Sequence, residues 1–445
     1  MTYVSEPARR TPLFGTYDIA VLGGGPAGIA AAAAAGALGR SVLLIERYGF
    51  LGGMGTAAGV TNFCGLHANV HGEIRQVVHG VADDLLRRID RLGGLNPPHS
   101  IFGKTFAQAY DNASYKIAAD DLLISRKVAI LFHAFAAGVI MDGARIEALL
   151  IETKSGRQAV RAGLFIDCSG DGDLAAFAGA PFECGDDDGG MLYPTMMFRL
   201  NGVDAEAAGE AWKTIPALMD EAEKRGVRFP RKGAIVRPML HSTEWRVNVT
   251  QLKSPNGLAL DGTDARQLSA GEIEGRRQVR AFYEFLKENA PGFAQSYIID
   301  IAPQLGIRET RRISGAYSLT REDVLTCASF PDSIGVNGWP IEAHVAGDVI
   351  WEWPDIPGSR DYNQLPYRML LPRDVANLLV AGRCASMTHE GQSAARVSGA
   401  CFVMGEAAGT AAHLALAGNR SPADIPVAQL QDLLARSGAF LGTDE

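Results

Sequence analysis

A glycine-rich turn near the amino terminus restricts the fold more than any other feature of the sequence. The apolar segment YDIAVL (17–22) ends at a Gly-x-Gly-x-x-Gly motif (23–28), which leads into an alanine-rich stretch that begins with proline. A short apolar run that ends at glycine is typical of a buried parallel strand, and proline followed by alanines favours a helix over 26–38. A second apolar run, SVLLIE, occupies 41–46. The spacing therefore predicts a β-turn-α-β unit of about 30 residues.

This unit predicts a binding site for a dinucleotide. In such a turn Gly23 permits the tight bend, Gly25 lets the backbone approach a pyrophosphate, and Gly28 lets the helix pack closely on the strand. The helix N-terminus offers free N–H groups and a partial positive charge to the phosphates. Glu46 ends the second strand, where its carboxylate can accept hydrogen bonds from a ribose diol and disfavours a 2′-phosphate. NAD and FAD both satisfy this pattern.

The loop after Glu46 favours FAD over NAD. RYGFLGGMGT (47–56) is a second glycine-rich loop, whereas a nicotinamide-binding domain normally continues as another crossover helix. Such a loop suggests backbone that lies along the rest of a longer cofactor. No second Gly-x-Gly-x-x-Gly motif follows a predicted strand, which disfavours a reductase driven by a pyridine nucleotide.

The rest of the chain predicts an interrupted domain. Residues 128–169 form strand-like runs separated by turn signals such as Asp142-Gly143, which predicts an antiparallel meander. The segment from about 184 to 365 lacks β-α alternation. We therefore expect an α/β fold in which a Rossmann-like FAD-binding domain with a β-meander comprises residues 1–183 and 366–445. An inserted α+β substrate or capping domain would comprise residues 184–365.

One helix is predicted inside this inserted segment. Ser269 and Glu272 have the spacing of a capping box, and Ile273, Phe282, Phe285 and Leu286 form an apolar stripe. The pattern predicts a helix that begins near Ser269 and buries this stripe.

The chain resembles the FAD-dependent oxidoreductases of the two-dinucleotide-binding-domain flavoprotein class, related to fumarate reductase flavoproteins and to glutathione-reductase-type FAD domains. Four stretches carry the resemblance, in the family's order and over nearly the whole chain: GGGPAG (23–28) with GGMGT (52–56), FIDCSGDGDLA (165–175), GIRETRRISGAYSLTREDV (306–324), and NLLVAGRCASMTHEGQSAARVSGACFVMGEAAGTAA (377–412).

The resemblance implies FAD as the cofactor and a set of contacts to it. Arg383 stands where related proteins often carry an Asp that holds a ribityl hydroxyl, and the helix from about Ser398 would aim its N-terminus at the flavin. The expected cofactor-binding residues are Gly23, Gly25, Pro26, Ala27, Gly28, Glu46, Arg47, Gly53, Met54, Thr56, Phe135, Ala136, Ser169, Gly170, Gly382, Arg383, Arg396, Gly399 and Ala400.

Five residues are candidates for the chemistry. His389 lies between the expected ribityl loop and the flavin-facing helix, and imidazole is the usual base near neutral pH. Arg396 and Arg308 suit recognition of an anion, although either could pair with an acidic side chain instead. Cys64 and His67 follow the second glycine loop, where a small buried thiol and a structural histidine are the simpler interpretations.

Composition limits the remaining possibilities. The net charge of −8 disfavours a general nucleic-acid binder, and the six cysteines form no CxxC pair that would indicate a zinc or iron–sulfur site. We expect no metal, no membrane span, a reducing cytoplasmic location and a possible homo-oligomer.

The expected activity is oxidation of a small organic substrate by hydride transfer to flavin N5, followed by reoxidation with oxygen or another acceptor. Two alternatives stay open: a redox-neutral isomerase or hydro-lyase in which FAD acts electrostatically, and an FAD-bearing RNA-modifying protein.

Overall fold

A computed structural model describes residues 4–442 of the chain. Its β-strands are β1 (Leu13–Leu22), β2 (Val42–Ile45), β3 (Asn62–Phe63), β4 (His67–Val70), β5 (Glu73–Gln76), β6 (His99–Ile101), β7 (Thr105–Ala109), β8 (Ala129–Leu131), β9 (Phe135–Asp142), β10 (Arg145–Thr153), β11 (Gly156–Asp167), β12 (Phe182–Glu183), β13 (Phe198–Asn201), β14 (Ile235–Pro238), β15 (Trp245–Asn248), β16 (Tyr297–Ile301), β17 (Arg312–Ile313), β18 (Ser333–Asn337), β19 (Ile341–Val345), β20 (Asp348–Glu352), β21 (Asn363–Pro366) and β22 (Leu378–Val380).

Twelve α-helices complete the described part of the chain, together with short 3₁₀ turns at Tyr367–Leu370 and Pro422–Asp424. The helices are α1 (Pro26–Ala37), α2 (Met54–Ala57), α3 (Val81–Arg91), α4 (Asn112–Ser125), α5 (Asp173–Phe177), α6 (Ala205–Ala208), α7 (Ala211–Lys224), α8 (Ala265–Asn289), α9 (Arg321–Leu325), α10 (His389–Ala395), α11 (Ser398–Ala417) and α12 (Val427–Arg436).

The main sheet confirms the predicted α/β class. Its strand order is β8-β2-β1-β11-β10-β9, and the predicted β1-α1-β2 unit lies at its centre with β1 parallel to both β2 and β11. The meander β9-β10-β11 is antiparallel, and β9 turns into β10 at Asp142-Gly143 as predicted. The last part of β11 pairs in parallel with β22, so the carboxyl-terminal segment rejoins the sheet beside the amino-terminal unit.

Helices α1 and α11 pack against each other without large side chains between them. A Cβ added at Gly405 would lie 2.0 Å from the Ala27 carbonyl oxygen, and one at Gly409 would lie 2.1 Å from that of Ala31. Only glycine permits this approach. Helix α11 is the one described helix long and apolar enough to cross a bilayer, but most of it is buried inside the protein.

The middle of the chain has a core of its own. Strands β14, β15, β13 and β16 form an antiparallel sheet in that order, and its buried side chains cluster with those of α7 and α8 between Met196 and Ile307. Most buried apolar residues between 313 and 365, such as Ile334 and Tyr362, pack with the core of the main sheet instead. The division into residues 1–183 with 366–445 and residues 184–365 stays a prediction.

Helix α8 begins earlier than the predicted capping box. Its N-cap is Asp264, whose carboxylate accepts hydrogen bonds from the backbone N–H groups of Arg266 and Gln267. Ser269 lies one turn inside the helix, where its hydroxyl donates to the Ala265 carbonyl. The predicted start at Ser269 and the predicted burial of Ile273 are therefore wrong, since Ile273 is 61% exposed.

Candidate active site

One cavity of about 700 Å³ joins the amino-terminal turn, the meander, the loop after β22 and the middle sheet. Its walls include Gly25 beside α1, Ser169 after β11, Gly382 after β22 and Arg246 on β15. In open α/β sheets ligands bind at the carboxyl ends of the strands, and this cavity lies at the carboxyl ends of β1, β2, β11 and β22. The cavity is therefore the candidate active site.

The glycine turn has the shape that the motif predicts. Gly23 adopts a φ of +98°, and a Cβ there would lie 2.4 Å from the Cys168 carbonyl oxygen. A Cβ at Gly28 would lie 1.7 Å from the Gly23 carbonyl oxygen. At Gly25, by contrast, a Cβ would meet only Gly53 at 3.6 Å. No side chain caps the start of α1, so its first N–H groups are free to bind phosphate oxygens.

Glu46 is a buried carboxylate that the turn holds in place. Its Oε2 accepts a hydrogen bond from the Gly24 N–H at 2.7 Å, and its Oε1 accepts from the Tyr48 N–H at 3.0 Å. A carboxylate has about four acceptor positions, so it can still accept bonds from a ribose diol.

Arg383, the departure from the family pattern, belongs to a buried ion-pair network. Its Nη2 lies 2.8 Å from Asp171 Oδ1, and its Nη1 donates to the Thr310 hydroxyl at 3.1 Å. Burial alone would raise the pKa of Asp171, but Arg383 and then Arg47 outweigh burial and lower that pKa. The guanidinium is thus fixed beside the cavity by an ionised carboxylate.

Most of the predicted cofactor residues line the cavity. Those in its walls are Gly23, Gly25, Pro26, Ala27, Glu46, Arg47, Gly53, Met54, Phe135, Ala136, Ser169, Gly170, Gly382, Arg383 and Arg396. Gly28, Thr56, Gly399 and Ala400 are packed behind the walls. Gly28 and Gly399 permit close backbone contacts, and the Thr56 hydroxyl donates to the Leu51 carbonyl.

The five predicted catalytic residues separate into two groups. Arg308, Arg396 and Cys64 line the cavity. His389 and His67 do not. His389 Nδ1 lies 3.0 Å from Glu309 Oε2, in a buried cluster with Arg312.

The surroundings of Cys64 and His67 favour the structural interpretations. His67 is buried with its ring against Phe106, and burial lowers its pKa. Burial also raises the pKa of the Cys64 thiol to about 12, so the thiol stays protonated at neutral pH.

Sequence reasoning missed a histidine–carboxylate pair in the cavity wall. His344 Nε2 lies 3.0 Å from Glu342 Oε1, and the Trp339 indole N–H donates to Glu342 Oε2 at 2.9 Å. Burial would raise the pKa of Glu342, but His344 and then Arg396 lower it to about 2. The ionised carboxylate can only accept, so His344 Nε2 carries the proton and Nδ1 is the basic nitrogen.

The middle sheet adds polar side chains that were also missed. Arg246 and Asn248 project from β15 into the cavity, whereas Trp245 and Val247 point into the second core. This alternation is visible in the sequence RVNV (246–249), but the alternation alone does not reveal which face of the strand lines the cavity. Arg231 and Arg237 line the cavity as well.

The cavity residues fit FAD. The open backbone at Gly25, the free N-terminus of α1 and the buried Glu46 match a pyrophosphate and an adenosine ribose. Gly382 and Ser398 continue the wall of the same cavity beyond them, which leaves room for a longer cofactor than the adenosine part alone.

Comparison with solved structures returns proteins of low identity. A geranylgeranyl bacteriochlorophyll reductase-like protein from Thermoplasma acidophilum is 14% identical, with a TM-score of 0.49 over 95% of this chain and 84% of that chain. The p-nitrophenol 4-monooxygenase PnpA from Pseudomonas putida DLL-E4 is 12% identical, with a TM-score of 0.47 over 97% of this chain and 90% of that chain. The myxobacterial chondrochloren halogenase CndH is 12% identical, with a TM-score of 0.46 over 95% and 79%.

No curated protein matches the sequence. A family model described as FAD dependent oxidoreductase matches residues 18–434. Because this match spans nearly the whole chain, the protein belongs to the FAD-dependent oxidoreductase family, and FAD is its cofactor.

Proposed function

We propose that the protein oxidises a small organic molecule in which the carbon that loses hydride carries an alcohol or amine group. FAD, when bound, supplies the hydride acceptor at N5 of its isoalloxazine ring. One observation carries the proposal: His344, Arg308 and Arg396 line the same cavity as Gly25, Glu46 and Gly382. A proton acceptor and two cations therefore share one cavity with the residues expected to hold the cofactor.

Arg308 and Arg396 would orient the substrate. The Arg308 Nη1 donates to the Tyr193 carbonyl at 2.7 Å, and the Arg396 Nη2 donates to the Glu342 carbonyl at 3.0 Å. Each guanidinium keeps further N–H groups, and Arg396 Nε has no hydrogen-bond partner among the described residues. Correct orientation of a bound reactant is itself a large part of enzymatic rate enhancement.

His344 would remove the substrate's O–H or N–H proton as the hydride leaves. Burial, followed by the neighbouring Arg308, lowers the pKa of His344 well below its usual value, so the imidazole is neutral at pH 7. Glu342 holds the ring through Nε2 and leaves the Nδ1 lone pair available. A carboxylate that orients a histidine base is a recurrent arrangement in enzymes. His344 thereby takes the role that the sequence assigned to His389.

An anaerobic screen tests the proposal. The purified protein with bound FAD is mixed with alcohols, amines and hydroxy or amino acids, and loss of the oxidised flavin absorbance is followed, with dithionite as the positive control. We expect at least one class to bleach the flavin faster in wild type than in His344→Gln. Product formation without any bleaching would instead indicate a redox-neutral enzyme and would contradict the proposal.

A further inference from the structure

Two arginines of the middle sheet lie side by side in the cavity wall. Arg237 on β14 and Arg246 on β15 are direct cross-strand partners, and both line the cavity. Like charges directly opposite each other destabilise a sheet. A negative charge near the two guanidinium groups would remove this destabilisation.

The protein supplies no such charge to Arg246. This side chain is 4% exposed, and its polar contacts are the Thr61 carbonyl at 3.1 Å and His99 Nε2 at 3.4 Å. Its Nε has no partner among residues 4–442. Burial lowers the pKa of Arg246 to about 10, and no carboxylate contributes to that pKa. A buried cation without a carboxylate partner is costly unless a ligand provides the anion.

Arg237 is similarly free. It lies over the Trp212 ring, 4.7 Å from the centroid, and has no hydrogen bond or salt bridge within the described residues. The one acid that contributes to the pKa of Arg237 among the described residues is Glu210, which is exposed and paired with Lys213. A half-buried guanidinium beside an aromatic ring is suited to a carboxylate or a phosphoryl group, either of which can accept two parallel hydrogen bonds from it.

The third arginine of the same row shows the contrast. Arg199 on β13 is the other cross-strand partner of Arg246, and it pairs with Glu244 at 2.6 Å and with Asp300 at 3.3 Å. Charge neutralisation is thus complete at the end of the row outside the cavity lining and absent at the end inside it.

We propose that Arg237 and Arg246 form a binding site for an anionic group of the substrate, a carboxylate or a phosphoryl group attached to a small organic molecule. That the anion belongs to a substrate rests on the proposed function. Binding of the anion itself does not require turnover. The neutral His99 accepts a hydrogen bond from Arg246 Nη2, and the Thr61 carbonyl accepts one from Nη1, so Nε and the second N–H of each Nη group remain for a ligand. Trp212 would flank the bound group.

Calorimetric titration of the FAD-loaded protein tests the site. The probes are benzoate, phenylphosphonate and the neutral benzamide, each at constant ionic strength. We expect at least one of the two anions to bind, and Arg237→Gln to raise its dissociation constant about tenfold or more while benzamide binding does not change. Tighter binding of benzoate assigns a carboxylate, and tighter binding of phenylphosphonate assigns a phosphoryl group.

Arg199→Gln is the matched control, because it removes an arginine from the same row but outside the cavity, and it should leave anion binding unchanged. Arg246→Gln tests the second arginine of the site. If that variant fails to fold, Arg246→Lys in combination with Arg237→Gln tests the pair instead. The inference is overturned if neither anion binds, or if Arg237→Gln and Arg199→Gln have equal effects. Anion binding that depends on Arg237, in a protein whose flavin no compound reduces, would refute the proposed function and leave the anion site intact.

Discussion

The Glu46 carboxylate holds two backbone segments at once. Its oxygens hold the backbone of the glycine turn through Gly24 and of the following loop through Tyr48. We expect Glu46→Gln to weaken FAD binding about tenfold or more, because an amide has one oxygen acceptor and no charge where the carboxylate has two oxygens. Flavin fluorescence titration of the stripped protein measures the effect. The exposed Glu73→Gln on β5 is the control, and equal affinities in the two variants would contradict the assignment.

The lowered pKa of His344 has a direct kinetic consequence. The imidazole must be neutral to accept a proton, so the rate of flavin reduction should be constant around pH 7. It should fall as the pH drops through a pKa below 6.5, because protonation then removes the base. His344→Gln should slow reduction about 100-fold or more and abolish this acidic limb. Stopped-flow reduction across pH measures both effects.

His389→Gln is the comparison that decides between the two histidines. If that variant loses the acidic limb and His344→Gln keeps it, then His389 is the base and the present assignment fails.

The difference between the two histidines shows what local sequence can and cannot reveal. The positions of Gly23, Gly25 and Glu46 beside the cavity could be predicted because they depend on neighbours within one β-turn-α-β unit. His344 lies on β19, in a part of the chain whose sequence shows no β-α alternation, and only tertiary folding brings it to the cavity wall beside Arg396. His389 was near the expected flavin in sequence, but Glu309 holds its ring outside the cavity lining.

Helix α8 offers a direct test at the level of one element. The Asp264 carboxylate satisfies two N–H groups at the start of the helix, whereas the Ser269 hydroxyl donates to a carbonyl inside it. We expect Asp264→Ala to lower the free energy of unfolding by about 1 kcal/mol. Ser269→Ala should leave it nearly unchanged, because alanine has the higher helix propensity. Urea unfolding of both variants measures this, and the reverse order would restore the predicted start at Ser269.

A tertiary contact explains why the capping-box pattern misled. Glu272 does not return to the backbone of Ser269 but accepts a hydrogen bond from the Leu305 N–H at 2.8 Å. The Ser-x-x-Glu spacing is therefore present without a capping box, and Glu272 instead fastens α8 to the segment after β16. Local motifs predict helix ends only where no long-range partner competes for the side chain.

At the scale of the whole molecule, the sequence predicted the class of fold better than the extent of its cores. The first and last parts of the chain form one sheet because β22 pairs with β11. The segment 313–365 has no β-α alternation, so its packing on the main core could not be read from pattern. The cavity arises where these separately encoded parts meet.

Removal of FAD should therefore affect sequence-distant segments together. Its expected contacts come from the turn at 23–28, from Glu46 and from Gly382, so bound FAD at about 100 times its dissociation constant should add about 2.7 kcal/mol to the free energy of unfolding. Hydrogen exchange should quicken at 23–28 and around Gly382 when FAD is stripped, and change little in α8, which contributes no side chain to the cavity wall. Mass spectrometry of the loaded and stripped protein compares these segments. A change confined to α8, or an equal change everywhere, would mean that the cofactor does not lie across the turn and the loop after β22.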